Sequence, residues 1–251
     1  MNERPIVFFD LETTGADDNK ENVRIIEICA QKVNPETLEV IDTLYHKCSN
    51  DGVPIAPDAT ERHGYVEADL VGLPPFSHFA KETYDFFNGC DIGGYYCTIF
   101  DVPILYYSFI RAGLTWDYKS LKNYDIFELY RKFNPGKLKD VYKRYTGKDL
   151  NDAHHATADI EATVELYGEM RKRNEEFEDS ELDSYSDRLD MPGNFKVRLL
   201  EDGVKEIYMS FGKWKGTSVD KVDKSYFKWM MENESFPVDT RHYAKLIYER
   251  K

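Results

Sequence analysis

From residue 6 to residue 12 the chain is apolar, β-branched and aromatic until Asp10 and Glu12 interrupt it, which predicts a strand that ends in carboxylates. Residues 13–19 are turn-like, and residues 25–33 and 39–48 predict two further strands, with antiparallel pairing expected among the three. Residues 49–64 hold Pro54, Pro57 and two glycines and read as a long loop, the kind of segment that more often serves function than packing. Residues 74–88 predict a helix.

Beyond that point strand-like and helical segments alternate. A short strand at 91–95 leads into a helix beginning near Asp101, where Ile104, Leu105, Phe109 and Ile110 recur at helical spacing and Pro103 fits a first turn. Segments 124–130 and 137–145 continue the pattern. The longest helix is expected at 153–173, with Ala158, Ala162, Leu166 and Met170 four apart on one face. Three early strands followed by alternating helices and strands predict an α/β protein with a mixed sheet flanked by helices.

Composition then divides the chain. Residues 174–190 carry eight acidic residues against one basic, and Pro192 and Gly193 follow, so a solvated acidic linker is expected over 175–194. Residues 195–251 show apolar alternation, glycines at 212 and 216 and aromatic helical segments around 226–231 and 243–248, which predicts a small C-terminal α+β domain after a catalytic domain at 1–174. Its twelve basic and nine acidic residues contrast with a net charge of −13 for all 251 residues. That acidity excludes a non-specific polyanion coat, yet an acidic enzyme can still work on nucleic acid where cations neutralise its carboxylates. No apolar run approaches the roughly eighteen residues of a membrane span, and the opening residues lack the pattern of a secretory signal, so a cytoplasmic protein with no membrane partner is expected. Cys29, Cys48, Cys90 and Cys97 are scattered without metal-binding spacing and read as reduced, buried thiols.

The chemistry concentrates at the end of the first strand. Side chains two apart in a strand share a face, so Asp10 and Glu12 project together from an otherwise buried segment. Desolvation and mutual repulsion make such a pair costly unless protons, a basic partner or cations neutralise it. Asp101, at the start of a helix, reads equally well as an N-cap or as a third site carboxylate. Asp159 sits among Ala156, Ala158 and Ala162, small residues that let a helix pack closely on the sheet and bury an acid on that face. Four such carboxylates can hold two hard cations about 4 Å apart, the arrangement that hydrolyses phosphodiesters, and oxygen ligands select magnesium or manganese. His154 and His155 offer an imidazole to take a proton from water. Helix geometry alone favours His155, four residues before Asp159 and on the same face.

At these residues the chain resembles the DEDDh (DnaQ-like) 3′ to 5′ exonucleases, which include polymerase proofreading subunits and exodeoxyribonuclease X. The resemblance covers about residues 5–172 and rests on Phe9-Asp10-Leu11-Glu12-Thr13-Thr14-Gly15, on Phe100-Asp101-Val102-Pro103-Ile104-Leu105, and on Ala153-His154-His155-Ala156-Thr157-Ala158-Asp159. It implies a ribonuclease H-like fold in which Asp10, Glu12, Asp101 and Asp159 bind two magnesium ions, with manganese able to substitute. The family spacing between His and Asp makes His154 the general base, against the helix-face argument. It also implies that Leu11, Thr13 and Thr14 lie against the terminal nucleotide, with His63, Tyr96 and Phe100 set toward the substrate. In similar enzymes an Asn stands where this chain has Tyr96, which bears on substrate handling. The segment from Met209 to Gly216, followed by Tyr226 and Trp229, resembles a small domain appended to exodeoxyribonuclease X. Lys213, Trp214 and Lys215 there suit phosphate contact and base stacking, whereas a hairpin with Trp214 packed inward is the alternative.

The expected activity is two-metal 3′ to 5′ hydrolysis of DNA, releasing nucleoside 5′-monophosphates from single-stranded 3′ ends. Two readings compete with it: an RNA-trimming exoribonuclease, and a catalytically impaired nucleic-acid-binding protein on the same fold, for which Tyr96 is the one residue that speaks.

Overall fold

The computed structural model describes residues 4–131, 137–150, 156–173, 185, 187–200 and 203–250. The chain divides into two compact units, one comprising Met1–Asp17 with Asn22–Asp183 and the other Asp18–Glu21 with Ser184–Lys251.

The first unit is built on strands β1 (Ile6–Thr13), β2 (Ile25–Val33), β3 (Val40–Lys47), β4 (Asp91–Gly94) and β5 (Asn123–Asp125), in the order β3-β2-β1-β4-β5. The pairs β1–β2 and β2–β3 are antiparallel, while β1–β4 and β4–β5 are parallel, so the sheet is mixed as the sequence pattern predicts. The helices are α1 (Pro57–His63), α2 (Phe76–Phe87), α3 (Asp101–Arg111), α4 (Ile126–Arg131), α5 (Leu138–Thr146) and α6 (Ala156–Lys172).

Strand alternation sorts β1 into two faces. Ile6 and Phe8 enter a core with Val33 of β2, Tyr145 of α5 and Ile160 and Tyr167 of α6. Phe9 points the other way, edge-on to Phe87 of α2 at 5.0 Å, and Trp116 continues the aromatic layer to Phe109 of α3. Each fully buried aromatic contributes roughly 1.5–3 kcal/mol, which is what commits β1 to the centre of the sheet. Asp10 and Glu12 follow the parity of Ile6 and Phe8 and therefore emerge on the α6 side.

Two local departures from the sequence reading have physical causes. The expected loop at 49–64 contains α1, because Pro57 occupies its first turn, where no amide is needed, and Gly64 ends it at φ 80°. Part of the expected linker is folded: Met191 and Asp190 are completely buried, and Asp190 accepts from the amide of Phe195 and the hydroxyl of Thr240. The acidic character of Asp190 disguised a core position, since its oxygens answer buried donors. Residues 174–184 lie outside the described residues.

The second unit pairs β6 (Phe195–Leu199) with antiparallel β7 (Lys205–Met209) and adds α7 (Lys224–Glu232) and α8 (Val238–Glu249). Phe195, Met209, Phe227, Met230, Ala244 and Ile247 form its own core. All four cysteines are free and buried. Among the described residues no helix is long and apolar enough to cross a membrane.

Candidate active site

Asp10 leaves β1 beside the point where β4 passes closest. A Cβ on Gly94 would lie 2.9 Å from the Phe9 carbonyl oxygen and 2.8 Å from Cys97 Cβ, so only glycine permits this approach. The segment after Gly94 then turns into α3 and delivers Asp101, whose Oδ1 accepts the backbone N–H of Leu11 at 3.0 Å. This bond ties β1 to the start of α3 directly. Asp101 is 4% exposed, and burial drives its carboxyl well above the ordinary range against the pull of its backbone hydrogen bonds.

Asp10 is in the same condition for stronger reasons. Burial comes first, followed by repulsion from Asp101, Glu12, Asp159 and Glu27, and together they push its carboxyl far above the ordinary value. Glu12 is pushed up to about 8 by burial, then by Glu27, Asp101 and Asp159, against the opposing pull of Arg62. Asp159, in the first turn of α6, is half-buried and acts on both. The four predicted carboxylates are thus one electrostatic cluster. His154 and His155 fall outside the described residues.

Two participants escaped the sequence reading. Glu27 of β2 pairs directly across from Glu12 and is only 3% exposed, with its carboxylate accepting the phenol hydroxyl of Tyr65. Lys47 Nζ lies 3.9 Å over the Tyr65 ring. Asp125, 2% exposed at the end of β5, gathers the loop that precedes Asp101: its Oδ1 accepts from the amides of Tyr96, Phe127 and Glu128, and its Oδ2 from that of Thr98 at 2.8 Å. Tyr96 needs this support, because its φ is 64°, a region that a bulky residue enters only under constraint. Asn tolerates that region better, so the substitution at this position carries a backbone cost as well as a change of chemistry.

The expected substrate-facing residues are distributed unevenly. Leu11, Thr13 and Thr14 are buried, and Thr14 carries backbone bonds to Arg24 and Ala56 that fix the turn after β1. His63 is buried too and acts as a brace. Its Nδ1 accepts the amide of Tyr65 at 3.1 Å, which leaves the proton on Nε2 to be donated to the Thr13 carbonyl, also at 3.1 Å. Burial correspondingly lowers its pKa, so the ring stays neutral. Phe100 is half-buried at the start of α3, and Tyr96 is exposed, edge-on to Phe127.

Residues 7–167 match the exonuclease family profile RNase_T. The chain belongs to the exonuclease family. Its members are nucleases, hydrolases that act on nucleic acid with divalent metal ions. Solved structures agree in fold. A zinc-bound complex of E. coli exonuclease I with single-stranded DNA superposes with a TM-score of 0.55 at 19% identity, over 68% of this chain and 41% of that one. The E. coli enzyme with a dA16 oligonucleotide gives 0.59 at 20% identity, again over 68% and 41%. A further exonuclease I structure gives 0.59 at 16%, over 93% of this chain and 61% of that one. This exonuclease chain therefore spans about two fifths to three fifths of the length of those enzymes. No curated protein sequence matches it.

The donor set of this chain suits divalent cations. It is carboxylate oxygen, largely buried and mutually repelling, and hard divalent ions answer that chemistry. Among the described residues no three His, Cys, Asp or Glu side chains are already arranged to clasp an ion. Asp101 shows one reason, since its Oδ1 is directed at the Leu11 amide. The set fits by the chemistry of its donors and by its convergence on the end of β1.

Proposed function

We propose that this chain is a 3′ to 5′ exonuclease of the DEDDh type that releases nucleoside 5′-monophosphates from DNA 3′ ends with two magnesium ions, which manganese can replace. The observation that carries this reading is the electrostatic convergence of Asp10, Glu12, Asp101 and Asp159 from three separate elements of an exonuclease fold. Divalent cations bound there supply the positive charge that activates water and steadies the departing oxygen. The four carboxylates hold those cations. His154 accepts the proton of the attacking water, and the turn from Leu11 to Thr14, fixed by Asp101, His63 and Ala56, presents a rigid wall to the terminal nucleotide. Support for single-stranded DNA as substrate comes from the oligonucleotides bound to the structural neighbours and from the resemblance to exodeoxyribonuclease X, to which the C-terminal unit is also proposed to be related.

The deciding experiment incubates 5′-labelled single-stranded DNA and RNA with the protein, with and without magnesium, and sizes the products. A ladder shortening from the 3′ end, on DNA in preference to RNA and only with metal, is the expected result. Endonucleolytic fragments or metal-independent cleavage would overturn it. His154→Ala is expected to slow turnover by about 10²–10⁴-fold. It should leave magnesium binding intact, as measured by calorimetry. If His155→Ala proves the more damaging change, the assignment of the base is wrong.

A further inference from the structure

The sequence left Trp214 either presented between Lys213 and Lys215 or packed inward, and the structure favours the inward alternative. Trp214 is half-buried against the core of the unit, and its indole nitrogen is enclosed without a hydrogen-bond partner. The exposed indole is that of Trp229, on α7, with 47% of its surface in solvent. Tyr226, one turn earlier, lies 5.2 Å from it at 39°, and Phe236 meets it edge-on at 5.3 Å. Lys213 extends over the same cluster, with Nζ 5.8 Å from the Tyr226 ring and 5.3 Å from that of Trp214. Lys213, Lys215 and Lys228 are all exposed.

We infer that the face formed by Trp229, Tyr226, Phe236 and Lys213 is a platform for single-stranded nucleic acid, stacking bases on Trp229 and meeting phosphates with Lys213 and Lys215. Other apolar side chains of the unit also meet solvent, Leu199 and Val204 among them, but Trp229 does so as part of a joined aromatic cluster with Tyr226 and Phe236. Rings with an open π-face next to ammonium groups suit a flexible strand whose bases are unpaired. Charge selects the same occupant: residues 195–251 carry twelve basic and nine acidic residues within a chain of net charge −13. The local field is moderated, since Lys228 sits 4.0 Å from Glu232 and Lys213 faces Asp223, whose carboxyl the Ser225 hydroxyl and amide, and then Lys213, hold below its ordinary range. Binding is therefore of modest strength and depends on stacking as much as on charge. Nothing in this cluster addresses a sugar hydroxyl, so DNA and RNA of equivalent base bind alike, and any preference between them arises at the catalytic carboxylates.

The proposal rests on the exonuclease reading only in its choice of ligand, and it is tested without catalysis. Full-length protein in EDTA is titrated with oligo(dT)20 and oligo(rU)20, following tryptophan fluorescence and the anisotropy of labelled strands. Both oligonucleotides should quench the fluorescence, with affinities within about threefold. Trp229→Phe should remove most of the quench, and Trp229→Ala should weaken binding about tenfold, the scale of one stacked base. A Lys213→Ala/Lys215→Ala double variant should flatten the dependence of log affinity on log salt by about 1.4. Lys245→Ala, on the exposed side of α8, serves as control with unchanged affinity. Unaltered binding by both Trp229 variants, equal affinity for a duplex of the same length, or loss of self-association in place of oligonucleotide binding would each overturn the platform. Absence of hydrolysis in the metal-dependent assay would instead strike the active-site reading and leave this measurement standing.

Discussion

Asp10→Asn should abolish hydrolysis, by about a thousandfold or more, while making the metal-free protein more stable at neutral pH. Both halves follow from one fact. In the folded chain the Asp10 carboxyl is raised far above its ordinary value by burial and by Asp101, Glu12, Asp159 and Glu27, so its ionised form is disfavoured by the native structure. The sign follows directly: a carboxyl with a raised folded pKa gives up stability as pH climbs above its unfolded value toward its folded one. Glu12, raised to about 8, behaves likewise, and the window of loss for it runs from about 4.5 to about 8. The amide removes the Asp10 share and relieves its neighbours, so the metal-free variant gains stability at pH 7. It also removes an anionic ligand and with it transition-state charge stabilisation of about 4 kcal/mol or more, the equivalent of a thousandfold loss. Thermal unfolding from pH 5 to 8 tests the account. The wild type should lose Tm across that range in EDTA and recover it in magnesium by mass action. The Asn variant should be flatter in EDTA and respond less to magnesium. A wild-type Tm that rises with pH in EDTA, or hydrolysis retained by Asp10→Asn, would remove the site.

The strand carrying Asp10 and Glu12 was legible because period-two alternation survives any tertiary context that buries one face, and β1, β2 and α6 occupy the places the pattern assigns. The carboxylates of α3 and α6 were harder. Asp101 is indistinguishable from an N-cap by spacing, so the sequence offered it both as a cap and as a third site carboxylate, and the Leu11 amide bond now ties it to β1. Glu27 was invisible for a different reason. An acid within a strand reads as a solvent-facing residue, and its burial against Glu12 depends on cross-strand register, which no single segment encodes. The same limit explains the indole rings of the C-terminal unit: Trp214 and Trp229 have equal hydropathy, and only the packing of α7 against its core decides which one meets water. Asp190 illustrates the converse, an acid counted toward a solvated linker because its buried donors, the Phe195 amide and Thr240 hydroxyl, come from elsewhere.

Asp125→Ala should be the most destabilising single change near the site, costing about 2–4 kcal/mol in urea unfolding, with turnover reduced about a hundredfold in the protein that remains folded. Asp125 lies in a three-residue strand and carries no motif, yet four amides from two segments end on its carboxylate. Without those oxygens the donors of Tyr96, Thr98, Phe127 and Glu128 lose their shared acceptor, and the loop that aims Asp101 is released. Asn at this position replaces one oxygen with a donor group facing donors, so Asp125→Asn should recover only part of the loss. The strain at Tyr96 offers a sharper test than stability alone. Its φ of 64° is held by the Asp125 bond to its amide, and glycine adopts that conformation without steric cost. In the wild-type background Tyr96→Gly trades relief of strain against loss of the contact with Phe127 and should be close to neutral. In the Asp125→Ala background it should restore about 1 kcal/mol, because the loop then re-forms without an external clamp. A double-mutant cycle measures that difference, and equal effects of Tyr96→Gly in both backgrounds would show that Asp125 does not act through the strained backbone leading to Asp101.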